Sequence, residues 1–223
     1  MVEAWAEVLA LIVALLGLTL LILANETDCF RQDAKDQFAS VGLSIRCRGL
    51  WSECLFDNTA NIWTCDFPVS YMGELPAEVI VMRVIDVVTC GMCILAIPLL
   101  ICGMSCIRCM NETESRKVKL VLSSGLLFLF GGVCGLSGTG WYAAATWNKY
   151  KQEVILGIPG VTYELGYSYW FAICGVLCEV MVGILLLIIW RHNNQQLNRR
   201  EHQRCMHPPV KTLCLGANTK TYL

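Results

Sequence analysis

The sequence predicts an α-helical membrane protein with four spans and a small antiparallel β-sheet outside the bilayer. Three observations point there. Of 223 residues, 56% are hydrophobic and 16% charged, against roughly 45–50% apolar and about 25% charged in a soluble domain. Four apolar stretches reach the ~20 residues needed to cross a hydrocarbon core of about 30 Å. Between the first two lies a segment in which apolar and polar residues alternate and which carries four of the fourteen cysteines.

The spans are expected at about 4–24, 79–103, 118–141 and 167–190. Each must be helical, because an unpaired backbone amide in lipid costs several kcal/mol and a helix satisfies its own. A cleaved signal peptide is the rival for the first stretch. Its start carries Glu3 and Glu7 where a signal has positive charge, and no A-x-A site follows Leu23, so a retained span is expected. Arg108, Arg116, Lys117 and Lys119 crowd the segment after the second span, and Arg191, Arg199, Arg200, Arg204, Lys211 and Lys220 follow the fourth. The positive-inside rule therefore puts both termini in the cytoplasm and residues 25–78 and 142–166 outside. Residues 1–190 form the four-span unit and 191–223 a cytoplasmic tail.

The third stretch runs on through Trp141, Tyr142 and Trp147 with no breaker, so that helix is expected to project beyond the membrane. Gly131, Gly132, Gly135, Gly138 and Gly140 give it small faces for close helix contact. Arg83 and Asp86, three apart at the outer end of the second span, share a helix face and are expected to pair. Glu179, near the middle of the fourth, should face the bundle interior and bond a neighbouring helix.

In the large loop, Leu50–Phe56 reads as a strand returning as Ile62–Phe67, with turn formers Asp57, Asn58 and Asn61 between them. Folding that hairpin brings Cys54 and Cys65 to bridging distance, and closing so short a loop contributes roughly 2–3 kcal/mol. Cys29 and Cys47 either form a second bridge or remain as free thiols or an intermolecular bond; spacing alone does not choose.

Gly49-Leu50-Trp51, then Cys54, then Cys65 resembles the signature of the claudin family. Four spans, Arg83 and Trp141-Tyr142-Ala143 extend the resemblance to about residue 190. Cys47-Arg48-Gly49-Leu50-Trp51-x-x-Cys54 and Thr27-Asp28-Cys29 resemble the paracellin branch, whose members are associated with divalent-cation permeability. The resemblance implies a left-handed four-helix transmembrane bundle bearing the sheet, residence in the plasma membrane at tight junctions, and other claudins as partners in cis and in trans. It implies pores between cells lined by neighbouring sheets. One departure is Phe30, where most claudins carry tryptophan. Calcium-channel gamma subunits share the fold and signature, so an accessory subunit is the alternative function, as is a purely barrier-forming claudin.

Residues 25–78 hold nine acids against four bases, a net of −5. A water-filled constriction lined by carboxylates concentrates cations. Asp66, directly after Cys65, matches the position of the family's pore acid; Asp33, Asp36, Glu53 and Asp57 are lesser candidates. Clustered acids could also supply the oxygens that calcium and magnesium favour. In the smaller loop the resemblance gives Ile155, Leu156 and Ile158 adhesive contacts with an opposing cell, the alternative being packing on their own sheet. Cys102, Cys106 and Cys109 stand where acyl chains are added to juxtamembrane cysteines. Thr221-Tyr222-Leu223 suits a PDZ scaffold domain, which captures a terminal carboxylate and apolar side chain.

Several functions are disfavoured. The overall charge of −1 offers nothing to a nucleic acid. His192, His202 and His207 all lie in the tail, with no phosphate-binding loop and no nucleophile set beside a base, so no enzyme and no cofactor are expected. Cys106-x-x-Cys109 lacks a second ligand pair, so no metal site is expected.

Overall fold

The computed structural model describes residues 2–35, 44–57, 61–68, 77–104, 114–156 and 161–206. In chain order these form α1 (Val2–Glu26), β1 (Arg31–Lys35), β2 (Ser44–Arg48), β3 (Ser52–Asp57), β4 (Ile62–Pro68), α2 (Ala77–Gly103), α3 (Glu114–Ile155), β5 (Val161–Leu165) and α4 (Tyr167–Met206). All four helices are long and apolar enough to cross a membrane.

α1 packs on α4 and α2, and α3 packs on α2 and α4, which closes a ring of four. Small residues let the backbones approach. Gly132 and Gly135 lie under Val180 and Val176, where an added Cβ would come within 2.6 and 2.7 Å of a valine methyl. One core cluster joins Ala10, Ala14, Cys93, Ala96, Leu100, Phe128, Val182 and Leu186. The opposite faces present Leu9, Ile12, Leu95, Phe130, Val133 and Met181 outward, as lipid requires.

The helices outrun the expected spans. α3 has 42 residues, about 63 Å at 1.5 Å per residue, so residues 142–155 are helix and not loop. α4 continues through the start of the expected tail to Met206. Nothing stops either helix earlier: no glycine or proline interrupts Trp141–Ile155 or Arg191–Met206.

Glu179 is fully buried, beside Gly131 of α3 and the Cys93 thiol of α2. The Cys93 thiol, a weak donor on neighbouring α2, is the partner the carboxyl meets, and no oxygen or nitrogen donor among the described residues reaches it. Gly131 makes the room: its Cβ, if present, would stand 3.2 Å from Glu179 Oε2.

At one end of the bundle the five strands form a single antiparallel sheet in the order β4-β3-β2-β1-β5. The hairpin of β3 and β4 turns at Asn61, whose φ of 52° lies in the left-handed region that asparagine tolerates. β1 sits between β2 and β5, so residues from both inter-helix segments share one sheet.

Candidate functional site

The sheet is fastened to the bundle where α1 ends. Cys29 is joined to Cys47 and Cys54 to Cys65; Cys29, Cys47 and Cys54 pack as one buried cluster. Phe30 fills the space beneath. It is 2% exposed and meets Tyr142 and Tyr169 edge-to-face, with ring centroids 5.1 and 5.6 Å away. Leu50, Met82 and Ala24 complete that cluster. Phenylalanine fills this position by packing perpendicular to two tyrosine rings.

The chain runs close to itself at this junction. The Phe30 amide donates to the Arg48 carbonyl, the Gly166 amide to the Phe30 carbonyl, and the Ser168 amide to the Cys29 carbonyl. Gly49 passes so near that a Cβ would lie 2.9 Å from Asp28 Cα, Ser52 O and Thr27 O, all backbone. Only glycine fits there without displacing main chain.

Trp51 and Arg83 tie the β2–β3 turn to α2. Arg83 Nε donates to the Leu50 carbonyl at 2.7 Å, and its guanidinium lies 4.7 Å from the Trp51 ring centroid. The indole Nε1 donates to Asn25 Oδ1 at 3.0 Å, and Asn25 Nδ2 donates to the Asp86 carboxylate. This replaces the expected Arg83–Asp86 pair. Spacing puts both residues on one helix face, but an unpaired backbone carbonyl and an asparagine amide give each its own partner.

Sheet register distributes the carboxylates. β2 sets Arg46 across from Asp33 of β1, and Arg48 across from Glu53 of β3. The Arg48 and Glu53 side chains form an ion pair at 3.2 Å. Arg31 is buried, with its guanidinium 5.1 Å from the Tyr163 centroid. β4 differs. Glu53 stands across from Phe67 and Leu55 from Thr64, so Cys65 and Asp66 together oppose Cys54 across a bulge. Asp57 stands across from Ile62. Neither Asp66 nor Asp57 has a base across from it.

Asp28, Cys54 and Cys65 bring an oxygen and two sulfurs together. The sulfurs are bonded to each other and offer no thiolate, so this donor set does not suit a metal. Asp28 instead accepts from the Ser52 hydroxyl.

Of the remaining positions, Ile155 ends α3 and Leu156 follows it, 82% and 75% exposed. Cys102 is exposed in the last turn of α2. Asp36, Cys106, Cys109, Ile158 and Thr221-Tyr222-Leu223 lie outside the described residues, as do the side chains of Asp33, Asp57 and Asp66. Glu164 was not among the candidate carboxylates. It joins the sheet across from Gln32 because β5 pairs with β1; the period-two pattern Val161-Thr162-Tyr163-Glu164-Leu165 before Gly166 is the signal that marks the strand.

A four-helix membrane bundle capped by a disulfide-bonded sheet, with a Gly-Leu-Trp turn clasped by a helix arginine, defines a class of four-span membrane protein. Residues 5–186 match the model of the PMP-22/EMP/MP20/Claudin family, and the chain belongs to that family. It is 30% identical to "Claudin-16" of Rattus norvegicus over 178 residues, 79% of this chain and 74% of that one. "Claudin-16" of Homo sapiens is 30% identical over 167 residues, covering 74% and 70%. "Claudin-18" of Rattus norvegicus is 29% identical over 185 residues, covering 81% and 69%. These likenesses set the chain among membrane proteins of the tight junction.

Proposed function

We propose that the sheet faces the extracellular space, that both termini are cytoplasmic, and that the protein assembles with other claudins into strands bordering a cation-favouring paracellular pore. Asp66 is the selecting carboxylate. The observation that carries this is the acidic excess of residues 25–78 combined with the register, which opposes arginines to Asp33 and Glu53 and no base to Asp66. A carboxylate in a narrow aqueous passage draws cations and repels anions through its field. Divalent permeability is the finer form of the same proposal, supported by the paracellin-like stretch from Cys47 to Cys54.

The same reading gives Ile155, Leu156 and Ile158 to contacts with a claudin on the opposing cell, supported by the exposure of the first two. It gives Cys102, Cys106 and Cys109 to palmitoylation and Thr221-Tyr222-Leu223 to a PDZ scaffold.

The test is expression in an epithelial monolayer of low background, with dilution potentials in sodium chloride and magnesium chloride. The expected outcome is junctional strands with a cation-biased potential that falls toward symmetry in Asp66→Asn. Unchanged selectivity in that variant removes Asp66 from the role. Strands that raise resistance without charge bias mean a barrier protein; diffuse surface staining with coprecipitation of a channel means an accessory subunit.

A further inference from the structure

Beside the sheet, α3, β5 and the first turn of α4 border an open cavity of about 310 Å³ lined by Ala143, Thr146, Trp147, Tyr150, Tyr163, Glu164, Leu165 and Trp170. We propose that this cavity binds the phosphocholine headgroup of a membrane lipid, through its aromatic walls and the Glu164 carboxylate.

Four of the eight lining residues are Trp or Tyr, the side chains whose ring faces attract a cation that cannot donate hydrogen bonds. Trp147 and Tyr150 stand 5.8 Å apart, and Tyr150 meets Tyr163 edge-to-face at 6.5 Å. Two rings already hold protein cations: Arg31 lies over Tyr163 at 5.1 Å and Lys151 over Trp147 at 5.4 Å. Glu164 and Glu153 balance them, Glu153 accepting from the Tyr163 hydroxyl at 2.6 Å. A wall so nearly neutral suits a zwitterion better than a bare cation or anion.

Depth identifies the source. Ala143, Thr146 and Trp147 lie two, five and six residues past Trp141, about 3 to 9 Å along the helix. Each headgroup layer is roughly 5–7 Å thick. Trp170, 56% exposed, and Tyr167, 53% exposed, mark the same level on α4. At roughly 300 Å³ the cavity stands at the small end of ligand sites, enough for a headgroup and not for acyl chains. Ethanolamine, whose ammonium needs three acceptors, finds mostly rings here.

The test is native mass spectrometry of the full-length protein, delipidated in a maltoside detergent and offered equal amounts of phosphatidylcholine and phosphatidylethanolamine with identical acyl chains. The expected result is about a tenfold preference for the choline lipid, falling to parity in Trp147→Leu and weakened in Glu164→Gln. Glu164 is an exposed strand residue, so its variant tests the site even if removal of an indole unfolds the protein. Equal binding of the two lipids, or a preference that survives both substitutions, overturns the proposal. Soluble phosphocholine that binds as tightly as the lipid overturns the assignment to a membrane lipid. The outcome is independent of whether the sheet lines a pore.

Discussion

Replacing Gly166 by alanine should disable the junction between sheet and bundle. An added Cβ would stand 2.0 Å from the Cys29 carbonyl oxygen and 2.7 Å from its carbon. Both are main-chain atoms, so no rotamer change relieves the clash, and the two segments must separate by more than 1 Å to reach about 3.2 Å, an ordinary close contact. That movement opens the bonds from the Gly166 amide to the Phe30 carbonyl, 3.0 Å, and from the Ser168 amide to the Cys29 carbonyl, 3.2 Å. Two buried backbone bonds are worth about 1 kcal/mol each, and forced repacking adds about 1–3 kcal/mol. The expected loss is thus about 3–5 kcal/mol, or a fall in Tm on the order of 10 °C for a chain of this size. Gly91→Ala and Gly140→Ala supply the control. Both glycines lie in helices with no atom within 4 Å of a would-be Cβ, so alanine there should be neutral or stabilising by up to about 1 kcal/mol. Thermal unfolding of the three purified variants, followed by intrinsic fluorescence, decides the matter. A Gly166→Ala protein as stable as Gly140→Ala would refute the reasoning.

Three further outcomes are expected. Cys54→Ser with Cys65→Ser should cost about 2–3 kcal/mol, because it restores the entropy of an 11-residue separation to the unfolded chain; the same drop should appear in the wild type under full reduction, compounded by loss of Cys29–Cys47. Arg83→Ala removes the bond to the Leu50 carbonyl and the cation over Trp51, a loss of about 2–3 kcal/mol. Arg83→Lys, which keeps the charge but cannot offer the same planar fork, should recover less than half of it by thermal unfolding. Ile155→Ser with Leu156→Ser should leave Tm within about 2 °C, since both side chains are already exposed, while reducing the aggregation of cells that express the protein; unchanged aggregation removes these residues from adhesion.

The four spans are readable because lipid imposes a composition that soluble folding does not, and the β3–β4 hairpin because its alternation brackets turn residues. β1 is not readable. Arg31-Gln32-Asp33-Ala34-Lys35 shows no apolar alternation; it is a strand because β2 and β5 pair with it on both sides. The ends of α3 and α4 were legible only as an absence of breakers, and polar helix formers carried both helices past the apolar boundary. Arg83 and Asp86 show the limit of local spacing. Their shared face is a property of the helix, but their partners come from Leu50 and Asn25, residues 33 and 61 positions away. For Asp66 the sequence offers its adjacency to Cys65; that both residues oppose Cys54 across a bulge is a consequence of register, which no local pattern encodes.

Charge and geometry are separable in this fold, and the separation bears on how any pore is set. Asp57 and Asp66, across from which the register sets no base, belong to the β3–β4 hairpin, whereas the contacts that hold the sheet on the bundle gather around Cys29, Phe30, Leu50 and Gly166. Phe30, Gly49, Leu50 and Gly166 carry no charge, and Arg83 acts through a backbone carbonyl and a ring face. Substitutions among them act by moving the sheet, and so should change strand formation and conductance together. A substitution at Asp66 removes one charge while leaving backbone pairing in place, and exposed charges are screened beyond about 8–10 Å. It should therefore alter ion preference with little effect on assembly. On the proposed function, then, the bundle sets where the sheet stands and the β3–β4 hairpin carries the charge that would set ion preference.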